Sequence, residues 1–153
     1  MIRTPVKAMA VMCALTLCAC GPLGEDLWGS YDGTSERYNA TNFGMTTQTV
    51  EDVISVTPKS GSEDVVLVGL ESNCVIEATF SKDGALSFTN QVCTFGATNS
   101  TDTWVYEGTG QVEDDKLTLE LKGSFERVYK AGPAMLPPLE GNHRLTFSGT
   151  RTY

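Results

Sequence analysis

From Trp28 to the end of the chain, apolar and polar side chains alternate with a period of two, and Gly, Asn, Asp and Pro interrupt the alternation at short intervals. No window of useful length carries the apolar stripe of an amphipathic helix. Alternation of this kind turns one side of a segment toward a core and the other toward solvent, as antiparallel strands do. The sequence therefore predicts an all-β domain.

Eight segments fit this pattern, namely residues 30–39, 48–57, 64–70, 74–80, 85–93, 102–112, 116–128 and 143–153. The Asp83-Gly84 pair between the fourth and fifth segments is typical of a hairpin turn. A meander of eight strands leaves two exposed edges unless the last strand pairs with the first. We therefore expect an up-and-down antiparallel barrel, whose interior is either filled by side chains or holds one small ligand.

Two stretches lack the alternation and predict long loops. Residues 95–101 are rich in Gly, Asn and Ser, and residues 131–142 contain Pro133, Pro137 and Pro138. Proline cannot donate a ladder hydrogen bond, so we place both stretches outside the strands.

The first 21 residues have the order of an export signal. A basic start with Arg3 and Lys7 precedes an apolar run over residues 8–17, which is shorter than a transmembrane helix needs to be to span a bilayer. The run ends in Leu17-Cys18-Ala19-Cys20-Gly21, which resembles the lipobox of bacterial lipoproteins, with Cys18 where a small residue is usual. The sequence thus divides into a signal peptide (1–19), a tether (20–27) and a barrel domain (28–153).

The lipoprotein resemblance implies cleavage before Cys20, diacylation of its thiol and attachment to a membrane through acyl chains such as palmitate. Gly21, in place of Asp, is similar to lipoproteins passed to the outer membrane. We therefore expect an envelope protein of the outer membrane, with the periplasm as its folding compartment.

Charge narrows the range of partners. The chain has 11 Lys and Arg against 19 Asp and Glu, and loss of Arg3 and Lys7 with the signal leaves a net charge of −10. An acidic domain repels phosphate backbones, so we expect no nucleic-acid partner. No sequence motif indicates a cofactor.

Of five cysteines, Cys74 and Cys93 remain after removal of the signal and lipidation of Cys20. In an oxidising compartment an even pair favours a disulfide, worth about 3 kcal/mol for a loop of this length. Free thiols and a zinc site are the alternatives, although two thiols and the single histidine fall short of a closed structural site. We expect no metal.

Several short segments resemble the calycin-like, lipocalin-like barrels of bacterial envelope lipoproteins. They are WGSYDGT at residues 28–34, GTG at 108–110, LTL at 117–119 and LTFSGTR at 145–151. The resemblance implies a barrel that begins and ends at these segments, and it suggests that Arg151 caps the barrel against an aromatic ring or a carboxylate near Trp28. Such barrels carry unrelated functions, so it implies no particular activity.

Inward-facing aromatic residues are the candidates for ligand contacts, and the alternative is that they are core. The candidates are Tyr31, Trp104, Tyr106, Phe125 and Phe147. No catalytic residue is predicted: His143 reads as a surface histidine, and no nucleophile elbow, zinc-binding helix or phosphate loop is present.

We therefore expect a lipid-anchored, non-enzymatic barrel that binds a small apolar ligand or an envelope protein. The alternatives are a filled structural module that acts through loops 95–101 and 131–142, or an inhibitor of a secreted protease.

Overall fold

A computed structural model describes residues 27–71, 74–130 and 137–152. It confirms an all-β domain in which eight antiparallel strands close into one barrel in sequential order. The strands are β1 (Gly29–Thr41), β2 (Gly44–Pro58), β3 (Val65–Glu71), β4 (Cys74–Phe80), β5 (Ala85–Gly96), β6 (Ser100–Glu113), β7 (Lys116–Tyr129) and β8 (Leu139–Thr152). Within these ranges no helix is long and apolar enough to span a membrane.

The barrel closes as predicted, because β8 pairs with β1. Their register runs from Ser30 opposite Thr152 to Thr41 opposite Gly141. The predicted turn between β4 and β5 is also confirmed. Gly84 has φ +82°, and a Cβ built there would lie 2.2 Å from the carbonyl oxygen of Val112, so only glycine fits.

Both predicted loops are too long. β5 extends to Gly96 and β6 begins at Ser100, because Phe95 pairs with Asp102. β8 begins at Leu139, directly after Pro137 and Pro138, because Leu139 is the first residue that pairs with β7. Residues 131–136 of the second loop lie outside the described residues, as do the signal peptide and residues 20–26 of the tether.

Two ends of the barrel differ in their closure. The closed end carries Leu27 and the β2–β3, β4–β5 and β6–β7 hairpins, and the open end carries the other four connections. Leu27, which the sequence assigns to the tether, is buried. The closed half is filled with aliphatic side chains, among them Ile54, Val66, Leu86 and Leu117, all at most 2% exposed.

The wall is incomplete at the open end because β3 and β4 have seven residues each, while the other strands have 12 to 15. β3 pairs with β2 only along residues 55–58. The open-end part of β2 therefore has no described strand beside it on that side. We call this gap, between the first half of β2 and the second half of β5, the notch.

Below the notch, the predicted disulfide joins Cys74 of β4 to Cys93 of β5, with 5.5 Å between the Cα atoms. These strands share only two register pairs, at Thr79–Ser87 and Phe80–Leu86. The Gln91 side chain spans part of the remaining seam, where its Oε1 accepts the Glu77 backbone N–H at 2.9 Å. The disulfide therefore holds a seam that the hydrogen-bond ladder leaves largely open.

Candidate functional site

A cavity of about 260 Å³ opens at the open end, beside the notch. Its wall combines aromatic, amide and charged side chains: Arg37, Asn39, Gln48, Phe95, Asp102, Trp104, Tyr106, His143, Arg144 and Leu145. This volume is just below the usual range for ligand sites, about 300 to 1,000 Å³, and it suits a molecule of about one ring. The cavity is therefore the candidate binding site.

One side of the cavity is held by a polar cluster on β1 and β2. Arg37 Nη2 donates to Asp52 Oδ2 at 2.8 Å, and the buried Ser35 hydroxyl donates to the same oxygen at 2.7 Å. These side chains share the inward side of their strands with Tyr31 and Ile54. The pairing fixes the Arg37 guanidinium at the cavity wall.

The opposite side is held by a bidentate ion pair. Arg127 of β7 donates to both oxygens of Asp102 on β6, from Nε at 2.8 Å and from Nη2 at 2.6 Å. This fork geometry raises the pKa of Arg127 above its ordinary value. Asp102 therefore lines the cavity as a fixed acceptor.

His143 is buried, at 5% exposure, so the prediction of a surface histidine is wrong. Its Nε2 lies 2.8 Å from the Val105 carbonyl oxygen and donates to it. A Cβ at Gly123, which pairs with His143 in the sheet, would lie 1.8 Å from that oxygen. Because Gly123 of β7 has no side chain, the His143 ring of β8 has room to reach the Val105 carbonyl of β6.

Burial lowers the pKa of His143, partly opposed by its bond to the Val105 carbonyl. The ring is therefore neutral at pH 7, and with Nε2 protonated its Nδ1 is a hydrogen-bond acceptor. His143 thus adds no positive charge to the cavity.

An aromatic cluster completes the wall. Trp104 stacks on Phe125 with ring centroids 4.8 Å apart, and His143 meets the rings of Trp104 and Tyr106 edge-on at 5.0 and 4.7 Å. Trp104 is only half-buried. Its indole is thereby held by neighbours on one side and accessible from the cavity.

The structure divides the five aromatic residues that the sequence singles out. Trp104 and Tyr106 line the cavity, and Phe125 supports Trp104 from behind. Tyr31 and Phe147 lie in the hydrophobic core instead, both at 3% exposure or less.

Tyr31 belongs to the closed end. Its hydroxyl donates to the Leu27 carbonyl at 2.7 Å, and the Arg151 guanidinium lies 5.6 Å from its ring centroid. Arg151 also lies 3.8 Å from a carboxylate oxygen of Asp115. The expected capping of the barrel by Arg151 is thus confirmed, with Tyr31 as the aromatic partner.

Sequence reasoning missed the polar half of the wall, although a signal was present. Arg37 follows Tyr31 and Ser35 in the same phase of alternation, and Asp102 precedes Trp104 and Tyr106 in the same way. A charged residue at a position whose neighbours in the alternation point inward indicates that the interior of the barrel is polar there. Notably, His143 is in phase with Leu145 and Phe147.

In the described ranges no three His, Cys, Asp or Glu side chains are grouped so that they could hold a metal ion. No protein-family model matches the chain, and no curated protein matches it.

Two solved structures from Bacteroides ovatus are similar over 80% of the chain. One is a multidomain protein including DUF1735, at 12% identity, and the other is a structural-genomics protein of unknown function, at 14% identity. Both have a TM-score of 0.35, and the chain spans about half of each, 49% and 47%.

Proposed function

We propose that this protein is a lipid-anchored, non-catalytic binding protein of the bacterial cell envelope, whose open-end cavity holds a small ligand. The observation that carries the proposal is the combination, in one cavity, of an accessible Trp104 with fixed polar groups of both signs. The closed half of the barrel is occupied by core side chains, so the ligand is placed at the open end.

The lining favours a ligand that has one apolar side and a polar rim. An indole face stacks on flat or weakly polar C–H surfaces, while Asn39 and Gln48 offer both donors and acceptors. A single pyranose ring has this chemistry and a suitable size. A wholly apolar ligand, which the sequence also allows, would displace water from the amides of Asn39 and Gln48 without offering them a hydrogen-bond partner.

A binding role also agrees with the hydrogen-bond partners of the titratable groups in the cavity. His143 donates to a backbone carbonyl and Asp102 is held by Arg127. Their hydrogen-bond partners are thus a backbone carbonyl and a guanidinium, neither of which is a nucleophile. In the proposed binding role these groups hold the shape of the cavity wall.

Lipidation of Cys20 would set the direction of the cavity. The seven peptide units from Cys20 to Leu27 reach at most about 25 Å, and a 13-residue strand such as β1 tilted as in other barrels spans about 33 Å. Because Leu27 lies at the closed end, the open end faces away from the membrane that holds the anchor. The ligand would then approach from the compartment and not from the lipid.

Tryptophan fluorescence tests the binding proposal. The chain has two tryptophans, so a Trp28→Phe variant leaves Trp104 as the only reporter. We expect titration with N-acetylglucosamine or D-glucose to change its emission saturably, and a further Asn39→Ala substitution to weaken binding about tenfold. A response only to an apolar dye such as anilinonaphthalene sulfonate would support the apolar alternative.

A matched pair of variants separates the cavity from the core. Trp104→Phe keeps an aromatic ring but removes most of the stacking face, whereas Phe147→Leu changes the core without touching the cavity. Loss of binding in Phe147→Leu but not in Trp104→Phe would refute the proposed location.

The anchor is tested separately. Metabolic labelling with a palmitate analogue should modify the wild-type chain and spare a Cys20→Ala variant, which should also leave the membrane fraction. An unlabelled wild-type chain would contradict lipidation without bearing on the cavity.

A further inference from the structure

The first half of β2 forms an unpartnered strand edge beside the notch. β2 pairs with β1 from Gly44 to Val56, but on its other side it pairs with β3 only from Ser55 to Pro58. Over residues 44–52 no described strand lies on that side. The sequence of this edge, GMTTQTVED, has no Lys, Arg or Pro to prevent pairing with another chain, and its two charged residues, Glu51 and Asp52, lie at one end.

The hydrogen-bonding phase of this edge follows from its neighbours. The Lys59 N–H donates to the Val65 carbonyl at 3.2 Å, which continues the β2–β3 register of Ser55 with Gly69. Odd-numbered residues of β2 therefore direct their backbone groups toward β3 and the notch. Along the notch, no described strand pairs with the backbone groups of Met45, Thr47, Thr49 and Glu51.

We infer that this edge pairs with the same edge of a second copy of the chain, in antiparallel orientation about a two-fold axis at Thr47. Antiparallel pairing of one edge with itself is a closed, isologous contact that cannot extend into fibres. The inference concerns assembly and does not depend on whether the cavity binds a ligand.

Three constraints select Thr47 as the axis. Odd residues must face odd residues, because only they have backbone groups on this edge; within residues 45–51 an axis at Thr46 forms two such pairs and an axis at Thr47 forms three. An axis at Glu51 would place two glutamates opposite each other. An axis at Gln48 or Thr49 would bring the partner's β1–β2 turn level with residues 53–55, beside which β3 runs from Glu71 to Gly69.

With the axis at Thr47, the pairing uses the free edge and stops before β3. Met45 lies opposite the partner's Thr49, and no two like charges meet. The three hydrogen-bonded pairs on this edge would form about six backbone hydrogen bonds, two for each pair. Met45 is already positioned, since the Tyr38 hydroxyl contacts its sulfur at 3.0 Å while its side chain is 73% exposed.

The pairing would also complete the wall of the cavity. Gln48 points inward and lines the cavity at the notch. In the proposed register it lies opposite the partner's Thr46, whose side chain would face the same side of the sheet. Each barrel would thus provide side chains, such as Thr46, that line the cavity of the other.

Sedimentation equilibrium of the chain from Gly21 onward tests the inference. We expect a reversible monomer–dimer equilibrium in the wild-type chain. A Thr47→Lys variant, which sets two lysines opposite each other at the axis, should raise the dissociation constant at least tenfold without lowering the melting temperature of the monomer. Thr49→Lys, which faces the partner's Met45, should raise it less.

Thr109→Lys is the matched control, because Thr109 is an exposed residue of β6 between two paired strands. It should dimerise like the wild type. A wild-type chain that stays monomeric at millimolar concentration, or a dimer unaffected by Thr47→Lys, would overturn the inference. A stronger effect at Thr49 than at Thr47 would overturn the register.

Discussion

The two halves of this barrel are made by the same strands but are held together differently. In the closed half the inward positions are aliphatic and buried, as at Leu117 and Leu119 of β7. In the open half the inward positions carry polar side chains beside the aromatic ones, and the polar side chains are satisfied by paired groups such as Arg37 with Asp52 and Arg127 with Asp102.

This difference indicates a division of labour along the barrel axis. Burial of apolar area supplies most of the folding free energy, so the closed half stabilises the domain. Polar groups at the open end gain little net stability from their pairs, since they lose hydration when they are buried. Their arrangement is therefore better explained by the cavity than by stability.

The largest expected effect contrasts two leucines. Leu117→Ala, in the closed half, should lower the free energy of unfolding by about 2 to 5 kcal/mol, because it leaves a cavity in packed surroundings. Leu145→Ala, which borders an existing cavity, should cost about 2 kcal/mol or less. Urea denaturation measures both, and equal losses would mean that the two halves are equally packed.

Loss of the disulfide comes next. The double variant Cys74→Ala, Cys93→Ala should lose about 3 kcal/mol, because a loop of 19 residues is no longer closed in the unfolded state. Hydrogen exchange should rise most along the β4–β5 seam, where only two register pairs remain. Uniform acceleration over the whole barrel would show that the seam has no local weakness.

The polar cluster should contribute less. In a double-mutant cycle of Arg37→Met and Asp52→Asn we expect a coupling free energy of about 1 to 2 kcal/mol, because both side chains are largely shielded from water. The same cycle on Lys122 and Glu107, whose side chains are 70% and 49% exposed, should give about 0.5 kcal/mol or less. A larger coupling at the exposed pair would contradict the comparison.

The smallest expected effect is a dependence on pH. Because the folded-state pKa of His143 is lowered, its neutral form stabilises the fold above about pH 6.5, and this contribution is lost as the pH falls through that value toward the folded pKa. The unfolding free energy of the wild type relative to His143→Gln should therefore fall between pH 7 and pH 5. If acidification instead raised the unfolding free energy of the wild type relative to His143→Gln, the inferred direction of the pKa shift would be wrong.

Much of the fold could be predicted, because alternation reports which side of a strand is buried. The bounds of β4 follow from Cys74, Ile76 and Ala78 in one phase, and the Asp83-Gly84 turn fixes the next strand. Closure of the barrel could be predicted because the first and last strands of a meander would otherwise have exposed edges. The start of β8 was missed because the prolines at 137 and 138 masked a strand that begins one residue later.

The cavity was only partly predictable. Trp104 and Tyr106 were identified because large aromatic residues in an inward phase are conspicuous, but the same criterion also selected Tyr31 and Phe147, which are core. Position along the strand, and not phase, separates the two pairs, and position depends on register. Burial of His143 depends on Gly123 of a different strand, which no local pattern reveals.

Mapping of ligand contacts by NMR tests the central claim most directly. Isotope-labelled chain from Gly21 onward would be titrated with N-acetylglucosamine and with a set of hydroxylated ring fragments. We predict shifts confined to the open half, including the Trp104 indole N–H and the side-chain amides of Asn39 and Gln48. Shifts that centre on closed-half residues such as Tyr31 and Leu117, or no open-half response to any of these probes, would contradict the account.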